Sequence, residues 1–158
     1  MRGRPSRTRS PSGSLARMAA STYRTVTVSR GPHGVLHATN VRGGRLAVGT
    51  GDGEGFTPSE LLLVALGSCT AADVDALTSR RAEPLAFEVQ VEADKVRDEA
   101  GNRLTNLSVT FRVEFPPGEP GDAARAVLPE AVQRSHDRLC TVGRTVEVGT
   151  PVATRIEE

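Results

Sequence analysis

Cys69 and Cys140 are the only thiols in this 158-residue chain, and an ionised thiol is both a nucleophile and an electron donor. Cys69 sits in the run Phe56 to Val74, small and apolar up to the sulfur and more polar just after it. A reactive cysteine needs its pKa lowered by a helix N-terminus, a cation or a hydrogen-bond donor. Twelve residues beyond Thr57, Cys69 gains little from a helix dipole, which acts only within the first turn. Its activation would have to come from elsewhere, with Arg30, Arg42 and Arg45 as donors of positive charge. A buried, inert Cys69 fits the local sequence as well as a reactive one. Cys140 follows Arg134, His136 and Arg138, a setting that favours a thiolate if a helix stops there, although Cys140 would serve equally as the first residue of a strand. The two thiols are 71 positions apart, which neither requires nor forbids the Cα separation of roughly 7 Å or less that a disulfide needs. In a reducing compartment two such cysteines are two unrelated buried thiols or a working redox pair.

The elements that position them follow from periodicity and turn chemistry. Tyr23–Val28 alternates as a strand, Arg30–Gly34 is turn chemistry and Val35–Thr39 is a second strand, with Arg45–Val48 available as a third. The glycine-rich stretch 49–55 reads as a loop; without the Gly-Lys-Ser/Thr ending it is not a phosphate cradle. Thr57, Pro58 and Glu60 form a capping box with proline at the first helical position, so a helix is expected from about 58 to 80. Apolar nearly all round through residue 69, it calls for burial against a sheet or a second subunit. Phe87–Ala93 and Leu107–Phe115 alternate strictly around a turn at 98–102, which predicts an antiparallel pair. Residues 121–139 have helical spacing with a kink expected at Pro129, and Thr145–Val148 and Val152–Ile156 read as closing strands. The order predicts an α+β fold with antiparallel sheets around a long buried central helix.

Composition narrows the functions. With 37% hydrophobic residues the chain reads as a single domain over 21–158, preceded by a basic tail over 1–20 in which Met18 is an alternative start. Arg2, Arg4, Arg7, Arg9 and Arg17 have no acid among them, but the tail also lacks aromatics for stacking on bases, so no nucleic-acid partner is expected. No run approaches the ~20 apolar residues of a membrane span and no secretory h-region opens the chain, so no membrane association and a cytoplasmic location are expected. His33 and His37 lack companions at ligand-like spacing, and no Ser/His/Asp grouping has a nucleophile-elbow context. No metal or other cofactor is expected.

The motif Pro58-Ser59-Glu60-Leu61-Leu62-Leu63, running on to Ala65-Leu66-Gly67-Ser68-Cys69-Thr70-Ala71-Ala72-Asp73-Val74, is followed by a hairpin and then by Arg138-Leu139-Cys140-Thr141-Val142. In this combination the chain resembles the OsmC/Ohr family over nearly everything from residue 23 on. The resemblance implies an intertwined homodimer with the thiols close together near the subunit interface. It further implies that Cys69 is peroxidatic and Cys140 resolving, that the substrate is an organic hydroperoxide taken up in an apolar pocket beside Cys69, and that a dithiol reductant reopens the disulfide. In the family's peroxidases a glutamate immediately after the proline pairs with an arginine of the N-terminal strands; here that position is Ser59. Glu60 stands one residue later, rotated by about 100° on a helix, and its capping role already accounts for it. Arg30, then Arg45, are the candidates for the matching arginine. The departure points to a less characterised branch, and to a second reading of the chain as a non-catalytic dimer that binds an apolar ligand or senses stress.

Overall fold

A computed structural model describes residues 23–157; the basic tail and its alternative start lie outside the described residues. The described residues form two compact units, 23–48 and 49–157, and the boundary falls at the start of the glycine-rich loop. In the first unit three antiparallel strands lie in chain order: β1 (Val26–Arg30), β2 (Leu36–Asn40) and β3 (Arg45–Val48). The first strand begins later than the alternation at Tyr23 suggests. Its connection to β2 is a short 3₁₀ turn, Pro32–Gly34, closed by the Gly31 N–H donating to the Val35 carbonyl at 2.7 Å. Between β2 and β3 the Asn40 side chain accepts from the amides of Arg42 and Gly44, a local turn that an Asn favours. Of this sheet's apolar residues only Val48 is buried, and Val26 is 68% exposed.

The second unit is organised by helix α1 (Pro58–Thr78). Its capping box is formed as expected: the Thr57 amide donates to the Glu60 carboxylate at 2.7 Å, and the Thr57 hydroxyl accepts from the Glu60 amide. These bonds from Thr57, its backbone amide first and its hydroxyl second, hold the Glu60 carboxyl below its ordinary range. Along α1, Leu66, Thr70, Val74 and Thr78 recur every four residues and, with Gly67, are its buried positions. The buried hydroxyls are satisfied within the helix, Thr70 by the Leu66 and Gly67 carbonyls and Thr78 by the Val74 carbonyl.

Within one chain this helix is buried along that one stripe, and Val64 is left 47% exposed. At 21 residues it is also long and apolar enough to cross a bilayer by length and composition alone, contrary to the reading that no such run exists. A core helix of a soluble protein passes the same test.

Strands β4 (Ala86–Asp98) and β5 (Gly101–Glu114) form the predicted antiparallel hairpin, longer than the alternation alone indicates and joined by Glu99 and Ala100. Its apolar face pairs Phe87 with Val113, Val89 with Phe111 and Val91 with Val109, and the Phe87 and Phe111 rings meet edge to face at 6.3 Å. One extra residue on β5 makes a bulge at Asn106, whose left-handed φ of 54° suits an asparagine and whose side chain donates to Asp94 at 2.7 Å. Helix α1 lies against β4 at Gly67, where an added Cβ would come within 2.7 Å of Val91 Cγ2.

Helix α2 (Glu119–Arg134) runs through Pro129, and the departure from α geometry comes later, in a π-helical turn at Ser135–Leu139. The segment expected as a strand at Thr145–Val148 is instead helix α3 (Thr141–Val148). Its valines and threonines favour strands, but a cap at Cys140 and a left-handed Gly149 at the far end define a short helix. Residues 152–156 take no regular structure and are exposed; no described strand offers them a ladder to join.

Two outcomes follow. Gly67→Ala gains helix propensity of about 1 kcal/mol but must displace Val91, so a net loss of about 1 kcal/mol is expected from the denaturation midpoint, where a net gain would contradict the close approach. Glu60 has a lowered pKa in the folded chain, so its contribution is complete above the ordinary glutamate value of 4.5 and is lost as pH falls through the lowered value. Glu60→Gln should therefore flatten the acid side of the stability profile, read as melting temperature against pH.

Candidate functional site

Cys69 stands in the fourth turn of α1, half-buried, between exposed Ser68 and buried Thr70. Cys140 is the N-cap of α3 and is 1% exposed. The alternatives left open for Cys140 are thereby decided: a helix does stop before it, and what begins after it is another helix. Its sulfur accepts a hydrogen bond from the Gly143 amide at 3.2 Å, its own amide donates to the Ser135 carbonyl at 2.9 Å, and its carbonyl accepts from Arg144 at 3.0 Å. Gly143 matters by its size. A Cβ there would stand 3.3 Å from the Cys140 sulfur and 3.5 Å from Leu66 Cδ1, so the glycine lets α3 close over the sulfur and against α1.

The fold brings the two thiols together. Both are free, and Cys69 is near enough to act on Cys140 as a polar neighbour and as a charge. Burial, first of all, pushes the Cys140 thiol up; the Gly143 amide opposes this, while Cys69 and the charge of Asp73 add to it. Burial thus outweighs the helix N-terminus, and Cys140 is held as a thiol and not as the thiolate that its basic flank suggested. Asp73 lies one turn beyond Cys69 on the same face of α1, half-buried, and accepts a 2.9 Å hydrogen bond from the hydroxyl of Ser135. Ser135 is buried at the start of the π-helical turn.

A cavity of about 450 Å³ opens beside Cys140, walled by Leu66 and Thr70 of α1, Leu107, Val109 and Phe111 of β5, and Val132 and Val146. Gln133, His136 and Glu147 also line it. Glu147 is shared there between His136 Nδ1 at 3.4 Å and Arg144 at 2.8 Å. Cys140, and not Cys69 as expected, lines this cavity, with Leu66 and Thr70, the α1 neighbours of Cys69, in its wall. A second apolar groove, of about 410 Å³, runs between α1 and β4 past Gly67 and Ser68.

The positions singled out at the helix start are elsewhere. Glu60 is engaged by Thr57, and Ser59 Oγ lies 3.3 Å from Thr57 Oγ1. Nine to ten residues of helix separate them from Cys69, about 14 Å of rise, so neither reaches the sulfur of its own chain. Arg30 ends β1, Arg42 lies in the β2–β3 turn and Arg45 opens β3, all three in the sheet unit. Sequence reading passed over Asp73, Ser135 and Gly143. A signal existed for Asp73, at i+4 from Cys69, whereas Ser135 and Gly143 acquire their roles only when α2 and α3 dock on α1.

Residues 51–155 match the family model of OsmC-like proteins, a span that includes α1, both thiols and α3. An uncharacterized protein of Mycobacterium tuberculosis is 29% identical over 114 residues, covering 72% of this chain and 81% of its own. Among solved structures, an OsmC-like protein of unknown function from Vibrio cholerae superposes with a TM-score of 0.65 at 12% identity, over 80% of this chain and 95% of its own. The organic hydroperoxide resistance protein OhrB of Bacillus subtilis superposes at 0.50 with 17% identity, over 78% and 90%. At these identities the structural likeness concerns the fold, and with the family match over most of its length the chain belongs to the OsmC-like protein family.

Proposed function

We propose that this protein is a thiol-dependent peroxidase that reduces organic hydroperoxides through Cys69 and Cys140 in defence against oxidative stress. The observation that carries the reading is the meeting of two free cysteines, 71 positions apart, beside an apolar cavity. Membership of a family that includes organic hydroperoxide resistance proteins supports it.

In this mechanism the thiolate of Cys69 attacks the terminal oxygen of the hydroperoxide. The O–O bond breaks, the alkoxide leaves and takes a proton to become the alcohol, and Cys69 becomes a sulfenic acid. Cys140 then attacks that sulfur, its proton and the sulfenic hydroxyl leave as water, and a Cys69–Cys140 disulfide forms. A dithiol reductant restores both thiols and is itself oxidised to a disulfide. No cofactor enters the cycle. The half-buried position of Cys69 admits a small reacting group, while the apolar walls around Cys140 suit an alkyl or aryl remainder better than hydrogen peroxide.

The active unit in this proposal is a cytoplasmic homodimer. Val64 on α1 and Val26 and Val28 on β1 are exposed apolar side chains of the kind a second copy would cover. Arg30, or else Arg45, is assigned the role of poising Cys69. The second reading, a dimer that binds an apolar ligand or senses stress without turnover, is favoured by one observation: Glu60 is consumed by the cap and Ser59 replaces the acid.

Reduced protein mixed rapidly with an aryl hydroperoxide should be oxidised at least about tenfold faster than by hydrogen peroxide, with a Cys69–Cys140 bond found by mass spectrometry and no disulfide from Cys69→Ser. Oxidation no faster than that of a free thiol would refute catalysis and leave the binding dimer.

A further inference from the structure

We propose that Asp73 and Ser135 together form a positioning device for the Cys69–Cys140 pair, governing how readily the two thiols close into a disulfide. Ser135 is bonded to both thiol-bearing segments at once. Its hydroxyl donates to Asp73 Oδ2 at 2.9 Å, one helical turn from Cys69 on α1, and its carbonyl accepts the Cys140 amide at 2.9 Å. With Ser135 only 1% exposed, its hydroxyl has no water to turn to, so the bond to Asp73 joins the π-helical turn to α1 across 62 positions of sequence. That turn leads directly into Cys140, and loosening it releases the Cys140 backbone from its register with Cys69.

Asp73 contributes charge as well as position. Its carboxylate acts on Cys140 in the same sense as burial and Cys69, and against the Gly143 amide. Two further titratable groups line the Cys140 cavity: His136, from the π-helical turn, and Glu147, from α3, which pair with one another at 3.4 Å. Only Asp73 belongs to the helix that carries Cys69 and is tied to the turn that carries Cys140. Its charge adds to the burial that disfavours the Cys140 thiolate in the reduced protein.

The inference rests on the reading of Cys69 and Cys140 as a redox pair, and its test uses no peroxide. The full chain is equilibrated with glutathione: two protein thiols yield one protein disulfide, two protons and two electrons, and one glutathione disulfide takes these up to become two glutathione thiols. Ser135→Ala should lower the equilibrium constant for closure by about fivefold, the scale of one hydrogen bond. Separately, in a Cys69→Ser background the ultraviolet thiolate absorbance belongs to Cys140 alone, and adding Asp73→Asn should move its titration midpoint to lower pH. The asparagine keeps an oxygen for the Ser135 hydroxyl and removes the charge, so a purely structural role would leave that midpoint in place. Should Ser135→Ala fail to fold, the Asp73→Asn titration decides alone. Wild-type protein that never closes would overturn the redox pair and the inference with it. Wild-type closure with Ser135→Ala within twofold of it, or an unmoved midpoint in Asp73→Asn, would overturn the inference and leave the redox pair standing.

Discussion

The docking of α1 through its four-residue stripe is the constraint on which the second unit depends. Leu66, Thr70, Val74 and Thr78 face inward together, and full burial of the two aliphatic members alone is worth about 1.5–3 kcal/mol each. Gly67 adds no surface to this stripe but sets its distance, since any side chain there would meet Val91. The helix therefore lies close on β4 while α2, the π-helical turn and α3 gather along it. Cys69 and Asp73 are carried on the same rod, and Cys140 arrives on the elements packed against it.

Seen this way, the chemistry of the pair is divided by its surroundings. Cys140 is buried at a helix N-terminus, where the dipole and the Gly143 amide would favour a thiolate, yet desolvation and two neighbouring groups outweigh them. Cys69 is half-buried and more accessible. A cysteine flanked in sequence by Arg134, His136 and Arg138 is nonetheless a resting thiol, because those side chains are exposed and the sulfur is buried.

The apolar surface left open within one chain has the same origin as the site. A helix apolar on nearly all sides has more surface than β4, α2 and α3 cover, and among the described residues the three-stranded sheet buries Val48 while Val26 and Val28 stay exposed. The hydrophobic pattern of α1 reports how much surface must be hidden and is silent about whether the same chain hides it.

Local patterns were enough for much of the architecture. The capping box at Thr57 and Glu60 marks the start of α1 because its partners lie three residues apart, and the alternation of Phe87–Ala93 and Leu107–Phe115 marks the hairpin because its period is that of a strand. The same local logic failed at Thr145–Val148, where β-favouring side chains were overridden by caps at both ends, and at 152–156, where alternation had no strand to pair with. The two cysteines stand out in the sequence as the candidates for chemistry because they are its only thiols, and the motif around them carries the family likeness. Their proximity, the burial that keeps Cys140 protonated, and the bond from Ser135 to Asp73 were decided by tertiary structure alone. Each depends on contacts between residues some sixty or seventy positions apart, and no local spacing carries that information.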